Sequence, residues 1–267
     1  MQDVKIYVCC HKDYKDVGIN NPCYKLISDK DIKNDTNLEL IKSDGFLDNR
    51  MWSELTQIYY IWKHPELQAD WIGLSHYRRY FDFMNDIPEL TKPVVATSTI
   101  NMFNNYASYD ICHHGKDLLT AVKLMKPLCP EYLKYGIKML DSHYLLPYNM
   151  FILPKKLFNE YCEFMFTILL TFDKQIKVNN NYIEMIKHIG DYRETYVEKT
   201  MEPNNTYEYQ ARLYGFIAER LTTTFFIKYI NENGGKDSVI ENDVVVTEKT
   251  YNKVLEKHLE DLKEKDQ

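Results

Sequence analysis

Apolar residues in this chain come in short blocks separated by polar, turn-rich stretches, and the blocks alternate between strand and helix periodicity. Val4-Lys5-Ile6-Tyr7-Val8-Cys9-Cys10 reads as a buried opening strand and ends on the cationic pair His11-Lys12. Met51, Leu55, Ile58, Tyr59 and Trp62 recur at helical spacing behind Asp48 and Asn49, either of which can cap an N-terminus, so a helix is predicted over 51–63. It feeds a second strand, Trp71-Ile72-Gly73-Leu74, which runs straight into His76-Tyr77-Arg78-Arg79-Tyr80. Further strands are predicted over 94–96 and 149–153, the latter stopped by Pro154. Helices are predicted over 117–125, 156–172 and 207–229, the first of them after the His113-His114-Gly115 turn.

Strands that alternate with helices imply an α/β fold with a mostly parallel sheet covered on both faces. Residues 13–50 carry breakers such as Asn20-Asn21-Pro22 and Asp44-Gly45 and read as a surface excursion with little regular structure. Residues 174–206 lose the helical period and read as loops around Asn179-Asn180-Asn181 and Pro203-Asn204-Asn205. One domain is expected over 1–235, followed by a charged amphipathic helical tail over 236–267. Its stripe of Tyr251, Leu255, Leu259 and Leu262 suits packing on the domain, on a partner or peripherally on a membrane. Its mixed charges make an unaided anchor on anionic lipid the weakest of the three.

With 267 residues, 45% apolar and 14% aromatic, the chain has ample material for one large core. A net charge of −6 argues against a nucleic-acid binder, which needs a broad basic surface to displace counterions. Any anion site is therefore local. The six cysteines are scattered without a C-x-x-C pair, which reads as reduced thiols in a cytoplasmic protein. Neither a signal peptide nor a bilayer-spanning apolar run is seen.

The chemistry narrows by elimination. There is no G-x-S-x-G elbow, no P-loop and no G-x-G-x-x-G in a chain with nine glycines. The D-x-D triplet Asp29-Lys30-Asp31 lies in the polar excursion with no strand leading into it, and adjacent His113 and His114 lack a third ligand, so no metal site is expected. What remains are side-chain cations at strand ends and turns. Ligands in open α/β sheets bind outside the carboxyl ends of strands, so Arg78 and Arg79 there suggest capture of a phosphate or carboxylate by guanidinium forks. The competing reading is a surface hairpin with solvated arginines.

Several segments, taken in order, resemble a known family. They are the Tyr7-to-Lys12 opening, Asp48-Asn49, and Ser53-Glu54-Leu55-Thr56 before a helix ending Ile61-Trp62-Lys63. The Trp71-to-Phe81 block, Tyr148-Asn149-Met150-Phe151-Ile152, and Tyr209-Gln210-Ala211-Arg212 running to Glu219-Arg220-Leu221 complete the set. Together they resemble the bacterial capsular and exopolysaccharide glycosyltransferase-like proteins long catalogued as a domain of unknown function.

The resemblance implies a GT-A-like, Rossmann-type mixed, mostly parallel sheet flanked by helices. It also implies transfer of galactofuranose or galactose from a UDP-sugar to a glycan or lipid-linked glycan acceptor. GT-A enzymes ordinarily place an acidic D-x-D after the strand that here carries Gly73-Leu74-Ser75, whereas this chain has His76-Tyr77-Arg78. A reaction that requires no metal is therefore expected, with Mn2+ or Mg2+ left open. By the same resemblance Arg78 and His76, with Tyr77, meet the diphosphate, and Arg79 turns toward structure or acceptor. His11 and Lys12 line the nucleotide pocket, and Asp48, Asn49 and Glu54 surround ribose or base. Asp141, Glu208 and Glu219 are the candidate catalytic bases. His113, His114, Asn149, Gln210 and Arg212 are candidate acceptor contacts. The alternative is a non-catalytic nucleotide- or carbohydrate-binding module.

Overall fold

A computed structural model describes residues 2–14, 19–33, 38–83, 85–193 and 206–246. Strand β1 (Val4–Cys10) is followed by β2 (Tyr24–Ser28) and β3 (Leu40–Lys42), and then by helices α1 (Asn49–Trp52) and α2 (Leu55–Lys63). A hairpin of β4 (Trp71–His76) and β5 (Arg79–Phe81) leads to β6 (Val94–Ala96), β7 (Thr99–Ile100) and helices α3 (Asn105–Cys112), α4 (Gly115–Leu128) and α5 (Pro130–Asp141). Then come β8 (Tyr144–Leu145), β9 (Phe151–Pro154), α6 (Lys155–Gln175), α7 (Tyr182–Arg193), α8 (Tyr207–Gln210) and α9 (Leu213–Glu232). The short strands β10 (Ile240–Asn242) and β11 (Val244–Val246) close the described chain.

The main sheet runs β10-β6-β9-β4-β1-β2-β3, with β5 joined to β4 and β11 joined to β5. β1 lies parallel to both β2 and β4, β2 to β3, and β10 to β6, while β9 runs antiparallel to β4 and β6. The expected mixed, mostly parallel α/β sheet is thus present. Side-chain alternation along β1 explains its two-sided burial. Tyr7 and Cys9 face the helical layer built around α2, α6 and α9, while Ile6 and Val8 face a second core closed by Tyr14, Tyr80 and Leu90 from connecting segments and β5.

Some expectations need correction. Residues 13–50 contain β2 and β3, short strands that complete the parallel edge beside β1. The interval 174–206 contains α7. The helix predicted over 51–63 is two helices, because Ser53 takes a positive φ of 51° and turns the chain between them. The boundary at 235 falls inside the fold, since β10 and β11 pair with β6 and β5. The tail helix over 248–267 lies outside the described residues.

Gly73 sits mid-sheet on β4, where an added Cβ would meet Ile6 Cγ1 at 2.8 Å and Ile152 Cγ1 at 3.0 Å. Overpacking of this kind costs about 1–3 kcal/mol. Gly73→Ala is therefore expected to lower Tm by roughly 2–4 °C per kcal/mol lost, and an unchanged calorimetric Tm would contradict this packing.

Candidate active site

The carboxyl ends of β1 and β4 open into a cleft of about 620 Å³. Its placement follows from the parallel pairing of these strands, which brings His11 and Lys12, just past β1, next to the end of β4. After His76 the chain reverses in a tight turn at Tyr77 and Arg78 into β5, so the cationic block is a hairpin, and His76, Tyr77, Arg78 and Arg79 all line the cleft. Lys30, which follows β2, adds a further cation. The opposite wall comes from the α1–α2 turn and from α8 and α9.

The two arginines diverge. Arg78 stacks on the Tyr77 ring with its guanidinium carbon 4.9 Å from the centroid, and His11 meets the same ring edge-on at 5.6 Å. Arg79 lies 4.3 Å over the Tyr148 ring. Burial pushes the His11 imidazole down to about 4, helped by the fields of Lys12, Arg212, Arg78 and Lys30. His11 is therefore neutral at pH 7, and four cations lie near enough for their fields to reach it.

Tyr148 and Asn149 are consecutive left-handed residues, with φ of 70° and 50°. Such conformations cost free energy and persist only where surrounding contacts hold them. His76 donates through Nε2 to the Tyr148 carbonyl at 2.6 Å, and the Tyr148 N–H donates to Glu219 Oε1 at 3.0 Å. Asn149 Nδ2 donates to Glu54 Oε1 at 2.6 Å, and Thr222 Oγ1 donates to Asn149 Oδ1 at 2.7 Å. Glu219 is held a second time by Arg220 Nη1, at 2.8 Å from Oε2. A half-buried carboxylate is thereby fixed in the cleft wall.

The structure sorts the candidate residues. His11, Lys12, Asn49, Glu54, Arg212 and Glu219 line the cleft, as does the exposed Glu208. Asn49 Nδ2 is committed to the Ser53 carbonyl at 2.9 Å, and Arg212 Nε donates to Ser53 Oγ at 3.2 Å. Asp48 is a correction: it caps α1 and pairs with Arg50, whose hydrogen bonds outweigh burial and hold its carboxyl low, and it is not in the cleft lining. Asp141 is another, because it ends α5 with its side chain exposed and away from the cleft.

The expected acceptor contacts at 113, 114, 149 and 210 serve the wall rather than its surface. His113 is buried, stacks at 4.0 Å on Phe216 and bonds Gln210 Oε1 at 3.0 Å, and burial lowers its pKa to about 3. Gln210 Nε2 donates to the Cys112 carbonyl at 2.8 Å. His114 pairs with Asp117 Oδ2 at 3.3 Å. Asn149 is only 1% exposed.

Sequence reasoning missed the roles of Lys30, Gln57 and Tyr182 in the lining. Gln57 Oε1 is buried in that lining with no hydrogen-bond partner among the described residues. Tyr182 stacks against Arg50 at 3.9 Å, which offers an aromatic wall of the kind that receives sugars or bases. Lys30 follows a strand whose own recognition would have exposed it as a third strand-end cation. In Asp29-Lys30-Asp31, Asp31 pairs with exposed Lys42. Among the described residues no group of three His, Cys, Asp or Glu is placed to hold a metal ion.

Residues 5–195 match the family described as a domain of unknown function, DUF4422. The fold is similar to the apo structure of the WbbM bifunctional glycosyltransferase, with a TM-score of 0.64 at 22% sequence identity over 91% of this chain and 45% of that one. This chain thus spans under half the length of that protein, and at such identity the likeness is one of fold. No curated protein matches the sequence.

Proposed function

The chain belongs to the DUF4422 family, and we propose that it is a glycosyltransferase that moves a hexose from a UDP-sugar to a glycan acceptor in surface-polysaccharide synthesis. The observation that carries this reading is the juxtaposition, in one cleft at the strand ends, of the cations Lys12, Lys30 and Arg78 around His11 with the fixed carboxylate of Glu219. The fold shared with a protein titled a glycosyltransferase supports it. UDP-galactofuranose or UDP-galactose is the donor the family resemblance implies.

In the proposed reaction an acceptor hydroxyl attacks the anomeric carbon, its proton passes to Glu219, and the bond from that carbon to the diphosphate oxygen breaks. The departing UDP gains negative charge, which fixed cations stabilise without reorganising. The cations of this cleft are proposed to supply that countercharge in place of a required divalent metal. His76, bound to the Tyr148 carbonyl, positions the turn that presents Glu219. Among the described residues no helix is long and apolar enough to cross a membrane. Peripheral action at the cytoplasmic membrane face, on a lipid-linked glycan, is part of the proposal.

The test is UDP release from a panel of UDP-hexoses with and without a cell-derived glycan acceptor. Acceptor-dependent release supports transfer, and UDP binding without release under any pairing would favour a non-catalytic module.

A pH dependence follows with a definite sign. A bound diphosphate offsets the field of the cations around His11 and raises its pKa from about 4 toward the ordinary 6.5. Affinity for a UDP-hexose should therefore increase as pH falls through that window, with uptake of a proton on binding. The unliganded fold is expected to follow the opposite trend and lose stability as pH drops below 6.5, because the unfolded chain protonates His11 first. Calorimetry in buffers of different ionisation enthalpy measures the proton uptake. His11→Gln should abolish it, and a pH-independent affinity in the wild type would contradict the assignment.

A further inference from the structure

Two arginines adjacent in sequence serve two different regions of the cleft. Arg78 shares the Tyr77 ring with His11 and belongs to the zone of Lys12, Lys30 and Arg212. Arg79 is locked in the sheet, paired with His76 on β4 and with Val246 on β11, and its carbonyl accepts from Ser75 Oγ at 2.5 Å. Its guanidinium lies on Tyr148, whose N–H holds the Glu219 carboxylate. Arg79 and the residue read as the base thus meet the same residue, Tyr148, one at its ring and the other at its N–H, and both line the cleft. No salt bridge is found for it among the described residues, and its Nε is buried without a hydrogen-bond partner.

Buried donors in native proteins are nearly always satisfied, charged ones above all. A cation–π contact neutralises none of the charge, and the bonds that Glu219 accepts come from Tyr148 and Arg220 rather than from Arg79. The half-buried guanidinium of Arg79, in the cleft lining and without a salt bridge among the described residues, is therefore available to an anion from outside the chain. A guanidinium fork fits a carboxylate or a phosphate in bidentate fashion. The donor diphosphate has its own cations around His11, which leaves Arg79 for the other substrate.

We propose that Arg79 with Tyr148 forms an acceptor subsite for an anionic sugar, one that carries a carboxylate or a phosphate next to the hydroxyl that is glycosylated. The proposal rests on the glycosyltransferase reading of the cleft. It makes Arg79 a specificity-determining residue: a uronic acid or phosphorylated sugar is preferred over its neutral counterpart.

The test uses the full chain saturated with UDP and titrated, with ligand-observed NMR, with methyl glucuronide, methyl glucoside and inorganic phosphate. Methyl glucuronide or phosphate, or both, should bind UDP-loaded wild type about ten-fold more tightly than the neutral glucoside. The glucuronide and phosphate arms separate a carboxylate-bearing acceptor from a phosphorylated one. Arg79→Gln should erase the preference, and Arg79→Lys should keep part of it, while UDP binding by both variants reports an intact fold. Equal binding of glucuronide and glucoside together with no phosphate binding to the loaded protein overturns the proposal. When that equality is joined by phosphate that binds only the unloaded protein and is displaced by UDP, Arg79 returns to the donor diphosphate. Absence of UDP binding in the wild type would instead overturn the glycosyltransferase reading itself, which keeps the two failures distinct.

Discussion

Glu219→Gln is expected to lower turnover by about 10²–10⁴-fold, the usual contribution of a positioned general base, while UDP affinity stays intact. The substitution keeps the shape of the side chain and an oxygen that accepts from the Tyr148 N–H, so the left-handed Tyr148-Asn149 turn retains its anchor. What is lost is the negative charge that takes the acceptor proton. The other two carboxylates of the cleft serve as internal comparisons. Glu54 is tied to Asn149 at 2.6 Å, and Glu208 stands exposed at the rim, so neither has the two-point fixation of Glu219. Glu208→Gln should reduce turnover far less. Steady-state kinetics with a saturating UDP-sugar decide the matter, and a larger loss at Glu208 than at Glu219 would move the base to the rim. Because Arg220 is only 8% exposed and pairs with Glu219, a thermal melt of the variant must accompany the kinetics.

The second large effect is expected at Arg78. Removal of a charged hydrogen-bonding partner from a diphosphate costs about 1.5–3 kcal/mol, which is roughly 10- to 100-fold in Kd. Arg78→Ala should therefore weaken UDP binding by that factor. Arg78 lies half-buried in the turn of the β4–β5 hairpin and stacks on Tyr77, so a thermal melt of each variant accompanies the titration. Arg78→Lys should restore only part of the affinity, since an ammonium lacks the planar fork. Calorimetric titration of the three proteins with UDP measures this directly, and equal affinity of wild type and Arg78→Ala would place the diphosphate elsewhere in the cleft.

Part of this fold is encoded locally and part only by tertiary partners. β1 and β4 were legible because both faces of a central strand are buried, which leaves an apolar run that needs no tertiary information. α6 was legible from its apolar stripe. β2 was not, because five residues with a half-exposed lysine between turn formers look like a loop until β1 supplies the ladder beside them. The antiparallel direction of β9 is likewise set by its neighbours, since Phe151 and Ile152 read the same in either direction. β10 and β11 are three residues each and take their pairing from β6 and β5.

The site shows the same division. Cations that directly follow strand ends could be placed from the pattern alone, since a parallel strand delivers whatever comes next to the binding edge of the sheet. Carboxylates on helices and turns could not. Asp141 and Glu219 look equally plausible in sequence, yet one ends a helix facing solvent and the other meets the Tyr148 N–H across the cleft. Asp48 shows how a capping residue resembles a ligand until its partner is seen. The divergence of Arg78 and Arg79 follows from the hairpin, which sends consecutive side chains to different aromatic rings.

The most direct measurement of the central claim is a calorimetric titration of the wild-type protein with UDP, run once in the presence of a chelator and once with added manganese. Saturable one-site binding of UDP in chelator, little changed by manganese, is the predicted result and would show that the cations of the cleft hold the diphosphate. Binding that appears only with manganese would contradict the metal-free account, and no binding in either condition would contradict the assignment of a UDP-sugar donor.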